Sequence, residues 1–136
     1  MDPMKIQAAL GARRVELADA AITEELAQFE AQLGLKLDSD LRQLYLGFDG
    51  FLSYDRGSQM ALWSLERVAD EQSLSCERKS ERYFAVGDFL IDSDFMMCCL
   101  ADASFPVFLL CEGRELAASF AEFLEKLVHG DFDFLK

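Results

Sequence analysis

The sequence predicts an α+β fold in which a single mixed, mainly antiparallel sheet packs against N-terminal helices and a C-terminal helix. Apolar residues recur at helical spacing before residue 50, near-continuous apolar runs follow between residues 83 and 111, and helical spacing returns after residue 115. This order lacks the regular alternation of a doubly wound sheet, so the α+β class is favoured. The 136 residues match the length of one ordinary domain, and we expect residues 1–136 to form it.

The first segment, residues 1–21, is expected to hold a short helix and a charged connection. Asp2 suits the N-cap because its carboxylate can accept a hydrogen bond from a free amide of the first turn. Pro3 suits the first helical position, where an amide would have no partner in any case. Gly11 is the predicted end of this helix.

Two further helices are predicted before residue 50. Thr23 can cap the first of them, and Gly34 ends it, since glycine readily adopts the left-handed conformation found after a helix. Asp38 or Ser39 can cap the second. The apolar face of this second helix comprises Leu41, Leu44, Tyr45 and Phe48. We expect Tyr45 to lie in the core with its hydroxyl reaching a loop.

A β-hairpin is predicted after a turn at Asp49-Gly50. Phe51–Tyr54 and Met60–Trp63 have the composition of short strands, and Asp55–Ser58 between them has the composition of a turn. The two strands are therefore expected to pair with each other.

The middle of the chain is expected to lead from a short helix into the centre of the sheet. Ser64 can cap a helix that runs through Val68, and the polar segment Asp70–Arg82 predicts a mobile surface loop. Three apolar runs beyond this loop predict strands covered on both faces: Tyr83–Val86, Phe95–Leu100 and Val107–Cys111. Pro106 has no amide to donate, so it should start its strand or lie toward an edge.

The last helix has the clearest periodicity in the chain. Its apolar stripe comprises Leu116, Phe120, Phe123, Leu124, Leu127 and Val128. Glu122, Glu125 and Lys126 fall on the opposite face, and Gly130 is the predicted end. His129 falls in the last turn, where its charged form suits the helix dipole.

The chain is strongly acidic, with a formal net charge of −12. No lysine or arginine occurs from Tyr83 to Gly113. A field of this sign repels phosphates, so nucleic acid and anionic membranes are poor direct partners, whereas a basic protein surface is attracted. Acidity also keeps a small protein soluble, so charge restricts the class of partner without naming one. The oligomeric state is left open.

The expected location is the cytoplasm. The N-terminus carries no secretory pattern, and no apolar run approaches the ~20 residues that span a bilayer. A domain of this size with a good core does not need disulfides, so free, mainly buried thiols are expected. The cysteines concerned are Cys76, Cys98, Cys99 and Cys111.

We find no motif for catalysis, for a metal or for another cofactor, and we expect none of the three. A cysteine nucleophile needs a base, and His129 is the only histidine in the chain. Cys98-Cys99 has the wrong spacing for a zinc-chelating pair. Asp92-Ser93-Asp94 lacks the other ligands of a calcium loop and is expected to be a turn between strands.

Several short motifs, taken together and in order, resemble the SUKH superfamily. Those of the first half are Phe29-Glu30, Leu33-Gly34, Leu37-x-x-Asp40-Leu41-x-x-Leu44-Tyr45, Asp49-Gly50 and Leu62-Trp63. Those of the second half are Phe84-Ala85-Val86-Gly87-Asp88, Leu90-Ile91-Asp92-Ser93-Asp94-Phe95 and Ala118-Ser119-Phe120-x-x-Phe123-Leu124. The resemblance spans about residues 22–128.

The resemblance implies a non-enzymatic protein-binding domain. SUKH proteins include fungal cell-wall-synthesis regulators and bacterial immunity proteins that neutralise polymorphic toxins, often toxins that attack nucleic acids. The leading hypothesis is therefore a cytoplasmic immunity protein that binds a cognate toxin with a basic surface. The alternative is a regulatory scaffold that binds cellular proteins and inhibits no toxin.

Five residues on predicted turns next to strands form the expected partner-binding set: Asp49, Tyr54, Asp88, Asp92 and Asp94. The competing interpretation of the last three is a solvated acidic loop that binds nothing, because carboxylates are usually exposed. Trp63 is expected to close the core, although a tryptophan beside acidic residues can also anchor a partner.

Overall fold

Helices and strands follow one another in the predicted α+β order in a computed structural model that describes residues 2–130. The helices are α1 (Pro3–Ala12), α2 (Thr23–Leu33), α3 (Ser39–Gly47), α4 (Leu65–Asp70) and α5 (Phe120–His129). The strands are β1 (Met60–Leu62), β2 (Cys76–Arg78), β3 (Glu81–Phe89), β4 (Asp94–Cys98), β5 (Val107–Leu109) and β6 (Glu115–Ala117). The predicted fold class is confirmed.

The six strands form one sheet in the order β1-β3-β4-β5-β6, with β2 also paired to β3. Every pairing among the described strands is antiparallel. β3 is the longest strand and carries β2 along its first part and β1 along its last part. Its register with β4 shifts between Ala85 and Gly87, as at a β-bulge.

The core lies between the sheet and the helices. The apolar faces predicted for α3 and α5 are buried, including Leu41, Leu44, Phe123, Leu124 and Leu127. α1 packs against both of these helices. Each fully buried side chain of this size contributes roughly 1.5–3 kcal/mol relative to an exposed one.

Most of the predicted helix ends are confirmed by their hydrogen bonds. Asp2 accepts the Met4 amide at 3.0 Å, and Asp38 accepts the Asp40 amide at 2.9 Å. The C-terminal caps Gly34 and Gly130 are left-handed, with φ of 68° and 71°.

Three predicted helix boundaries are wrong, and the first is the end of α4, which lies at Asp70 and not at Val68. α1 continues past Gly11 to Ala12. α2 begins at Thr23, so its N-cap is Ile22, and the Glu25 carboxylate accepts the Ile22 amide at 3.0 Å. Glu25 thus takes over the capping role predicted for the threonine hydroxyl.

The hairpin predicted between Phe51–Tyr54 and Met60–Trp63 is present only in part, because Asp55 and Met60 form an isolated antiparallel bridge but Phe51–Tyr54 forms no strand. Met60–Leu62 forms β1, but its strand partner is β3. The Phe51 amide donates to the Leu62 carbonyl at 2.7 Å, yet the neighbouring Leu52 amide donates to the Glu16 carbonyl, so the segment is shared between two neighbours. β1 therefore forms its ladder with the distant strand β3 and not with the segment just before the turn.

The predicted mobile loop Asp70–Arg82 contains ordered elements instead. A short 3₁₀ helix, Gln72–Leu74, leads into β2, which pairs with the start of β3. The turn between the strands is Lys79-Ser80, with φ of 53° and 66°. Such values suit a two-residue hairpin turn, but neither residue is the usual asparagine or glycine, so the local composition gave no hairpin signal.

The end of the chain differs from the prediction at one residue. Leu116 belongs to β6, because α5 begins only at Phe120 after its N-cap Ser119. The Ser119 hydroxyl accepts the Glu122 amide at 3.1 Å. Pro106 directly precedes β5, as predicted for a residue that starts its strand.

Candidate functional site

An open cleft of about 270 Å³ lies where α3, β1 and α4 meet. We call it the Tyr54 cleft; its lining includes Asp49, Leu52, Ser53, Tyr54, Trp63 and Arg67. Asp49 follows α3, Trp63 follows β1, and Arg67 belongs to α4. Gly50 allows the chain after α3 to lie close to the Trp63-Ser64 backbone, because a Cβ on it would lie 2.6 Å from that backbone. Two of the five predicted contact residues, Asp49 and Tyr54, therefore line one cleft.

Asp88 lies beneath this cleft and is fully buried, so its interpretation as a solvated carboxylate is wrong. The Trp63 indole nitrogen donates to one carboxylate oxygen at 2.8 Å. The Tyr54 hydroxyl and the Asp92 amide, the latter at 2.9 Å, donate to the other. These donors compensate the loss of water, and the buried carboxylate holds three chain segments together.

Tyr54 and Trp63 are both held by Asp88. Burial raises the pKa of Tyr54 to about 12, with the hydrogen bond to Asp88 and the nearby negative charges adding to the effect. The Tyr54 hydroxyl therefore remains a neutral donor at physiological pH. Trp63 is buried, as predicted for a core residue. Tyr45 is buried too, and its hydroxyl donates to the Trp63 carbonyl at 3.0 Å, which agrees with the predicted reach to a loop.

Asp92 is exposed and pairs with Arg67, which lines the cleft. The Arg67 guanidinium lies 3.0 Å from the Asp92 carboxylate and 4.1 Å from the centre of the Trp63 ring. It thus bridges the exposed turn and the buried tryptophan. The sequence carried no signal for this role of Arg67, because the two partners of the ion pair are distant in the chain.

Asp49 is half-buried and lies among other carboxylates. Its Oδ1 accepts the Leu65 amide at 2.9 Å at the start of α4. Burial raises the pKa of Asp49, and the charges of Glu25 and Glu66 raise it further against the opposing effect of that amide. Ionised Asp49 is therefore destabilised by its surroundings, and an incoming cation would relieve the repulsion. Glu25 and Glu66 were not among the predicted contact residues.

Asp94 has a structural position outside the Tyr54 cleft. Only 6% of it is exposed, so its interpretation as a solvated carboxylate is wrong as well. Its carboxylate accepts the amides of Cys111, Phe95 and Glu112 at 2.7, 2.8 and 3.2 Å. Although burial acts in the opposite direction, these hydrogen bonds lower the pKa of Asp94. A joint charge reversal of Asp88, Asp92 and Asp94 would consequently disrupt the fold.

The turn from β3 to β4 has an unusual backbone. Leu90, Ile91 and Asp92 have φ of 52°, 53° and 63°, in the left-handed region. This conformation costs roughly 1–2 kcal/mol per residue for side chains other than glycine, and it is rarest for β-branched ones such as isoleucine. Leu90 and Ile91 are also exposed. The turn spans residues 90–93, so Asp94, predicted to belong to it, is the first residue of β4, and the tip of the turn is apolar.

The potential metal ligands of residues 2–130 are scattered. No group of three or more potential metal ligands occurs there, and none of the described helices is long and apolar enough to cross a membrane. All four cysteines are free. Cys98 and Cys99 are buried as predicted, whereas Cys111 is exposed, because β5 ends before reaching it.

Comparison with known proteins assigns the chain to a family. No curated protein gives a significant match to the chain. Residues 21–126 match the SMI1 / KNR4 family (SUKH-1), in close agreement with the range of the resemblance noted in the sequence. The match covers well over half of the chain and includes Asp88, the β3–β4 turn and every residue that lines the Tyr54 cleft except Ala18. The chain therefore belongs to the SMI1 / KNR4 family (SUKH-1).

Proposed function

We propose that this chain is an immunity protein that binds and neutralises a cognate polymorphic toxin, one that attacks nucleic acids. Membership of the SUKH family is consistent with a protein-binding role of the immunity type, and the family is generally non-catalytic. In this proposal the protein acts in the cytoplasm by covering the toxin and carries out no chemistry itself.

The observation that carries the proposal is the group of carboxylates beside the Tyr54 cleft. Burial disfavours the ionised form of Asp49, and the charges of Glu25 and Glu66 add to this effect, so its pKa is raised. A toxin that cleaves nucleic acid presents lysine and arginine to phosphates. Contact with such a surface would neutralise the repulsion around Asp49, and the overall charge of −12 would speed the encounter.

The five predicted contact residues divide into two roles. Asp49, Tyr54 and Asp92 border the accessible surface and are proposed to contact the toxin directly. Asp88 and Asp94 are buried, and in the proposal they position the surface without touching the partner. Asp88 does so by holding Tyr54 and the Asp92 amide, and Asp94 by holding the ends of β4 and β5 together.

The test is protection of growing cells. We expect co-expression of this chain to rescue growth of cells that produce the toxin encoded beside its gene, and we expect it to co-purify with a catalytically inactive form of that toxin. A variant with Asp49→Lys and Glu66→Lys should lose protection, while Glu115→Lys, at the exposed first residue of β6, should retain it. Growth arrest despite abundant folded wild-type protein would refute neutralisation and favour a regulatory scaffold instead.

A further inference from the structure

The tip of the β3–β4 turn combines two features that are both unfavourable for the isolated chain. Leu90 is 45% exposed and Ile91 is 73% exposed. Both adopt the left-handed backbone conformation that bulky side chains avoid. A single exposed leucine needs no explanation. Two adjacent exposed apolar residues on a strained backbone require an explanation, since asparagine, aspartate or glycine would suit this turn better.

The strained conformation is held firmly by surrounding groups. The Leu90 amide donates to the Gln59 carbonyl at 2.9 Å. The Ser93 hydroxyl donates to the Leu90 carbonyl at 2.8 Å. The Asp92 amide donates to the buried Asp88 carboxylate. The two apolar side chains are thus presented on a preorganised turn, which lowers the entropy lost when a partner is bound.

The surroundings of the tip indicate the chemistry of what it binds. Leu90 and Ile91 line a shallow hollow of about 360 Å³ together with the exposed Arg56, and Tyr54 lines both this hollow and the Tyr54 cleft. The next residue in the turn, Asp92, has 56% of its side chain exposed. Asp49 lines the Tyr54 cleft, and the charges of Glu25 and Glu66 act on it. The apolar tip therefore lies between the carboxylate of Asp92 and the guanidinium of Arg56. Its complement is an apolar recess whose rim carries a cation opposite Asp92 and an acidic group opposite Arg56.

We propose that Leu90 and Ile91 are the apolar anchor of the interface and insert into an apolar recess on the toxin, bordered by a lysine or arginine opposite Asp92 and an acidic residue opposite Arg56. This inference rests on the proposed function and adds to it the residues that set the lifetime of the complex. Acidic groups speed the encounter, whereas a buried apolar anchor slows dissociation. Strain in the unbound turn is tolerated because binding uses this conformation.

The test compares stability with binding in one double variant, Leu90→Asn with Ile91→Asn. Asparagine tolerates the left-handed conformation better than leucine or isoleucine, so the thermal unfolding midpoint should stay the same or rise. Binding of the purified, catalytically inactive toxin encoded beside the gene should weaken by about tenfold or more, mainly through faster dissociation. Met4→Gln, which alters an exposed apolar residue on α1, should leave both quantities unchanged.

The outcomes separate this inference from the proposed function. If the wild-type chain fails to bind the toxin, the proposed function fails and the anchor fails with it. If the wild-type chain binds and the double variant binds equally well, only the anchor is overturned. If the wild-type chain dimerises in sedimentation experiments and the double variant does not, the tip serves self-association, which also overturns the anchor.

Discussion

At the scale of single residues, Asp88 organises the candidate site. A buried carboxylate is tolerated only when hydrogen bonds replace its water, and here the donors come from three separate segments. They are the Trp63 indole, the Tyr54 hydroxyl and the Asp92 amide. Asp88, which the sequence suggested as a contact residue, therefore supports the candidate binding surface from inside the fold.

Replacing Asp88 by asparagine should lower the free energy of unfolding by about 2 kcal/mol. Asparagine has a single acceptor oxygen, so its NH2 group would face either the Trp63 indole N–H or the Tyr54 hydroxyl and the Asp92 amide. Urea denaturation measures this change. Asp92→Asn, which alters an exposed ion pair, should cost less than about 1 kcal/mol. An equal or larger effect at Asp92 would contradict the assigned role of Asp88.

At the scale of elements, β3 determines the arrangement of the sheet. It pairs with β1, β2 and β4, and it approaches β1 closely at Gly87. A Cβ on Gly87 would lie 2.6 Å from the Ala61 carbonyl oxygen and would collide with the Met96 side chain. The backbone oxygen cannot move without disturbing β1, so the position requires glycine.

Gly87→Ala should therefore lower the free energy of unfolding by about 1–3 kcal/mol through overpacking. The matched control is Gly11→Ala, where a Cβ meets nothing within 4 Å and the residue lies in α1. That change should raise the free energy of unfolding by about 0.5–1 kcal/mol. Similar values at both positions in denaturant titrations would show that the close approach to Ala61 does not constrain the sheet.

A second element-level contribution depends on pH. Asp94 accepts three amides that join the ends of β4 and β5, and its pKa is lowered in the folded chain. A carboxyl group with a lower folded pKa stabilises the fold above its unfolded pKa, and this stabilisation is lost as the pH falls through the folded pKa. The relevant range lies below about pH 4.

Asp94→Asn should thus destabilise the protein most at neutral pH and progressively less on acidification. Urea titrations of the wild-type and variant chains between about pH 3 and pH 7 measure the difference. A difference that stayed constant over this range would mean that the carboxylate charge of Asp94 contributes nothing to folding.

At the scale of the whole molecule, the acidic charge governs encounter with a partner. The net charge of −12 acts over distances that depend on salt, whereas the apolar anchor acts only on contact. The ionised form of Asp49 is locally unfavourable, because burial and the charges of Glu25 and Glu66 raise its pKa. The stabilising contribution of a group with a raised pKa is present at low pH and is lost as the pH rises, so ionised Asp49 opposes folding at neutral pH.

Asp49→Asn should consequently leave stability at neutral pH unchanged or higher while slowing association with the toxin at low salt. The association rate of the wild-type chain should fall by about tenfold or more as salt screens the field. At high salt the rates of the wild-type chain and of the Asp49→Asn variant should become equal. Stopped-flow mixing across a range of salt concentrations measures both. A wild-type rate independent of salt would exclude electrostatic steering.

Features that depend on a few neighbouring residues were predictable from the sequence. The caps at Asp2 and Asp38, the glycine ends of α2 and α5, and the apolar faces of α3 and α5 all follow from interactions within about one helical turn. The order of helices and strands followed from the same local periodicities, and with it the α+β class.

The tertiary structure alone decided which strands pair and which carboxylates are buried. β1 pairs with β3 instead of with its nearer neighbour, and Lys79-Ser80 forms a hairpin turn without the usual residues. Asp88 meets Tyr54 and Trp63 across 34 and 25 residues of chain. Local sequence determines helix ends and apolar faces because their interactions are short in the chain. The candidate site required the folded chain because its contacts form only after distant segments are brought together by burial of the core.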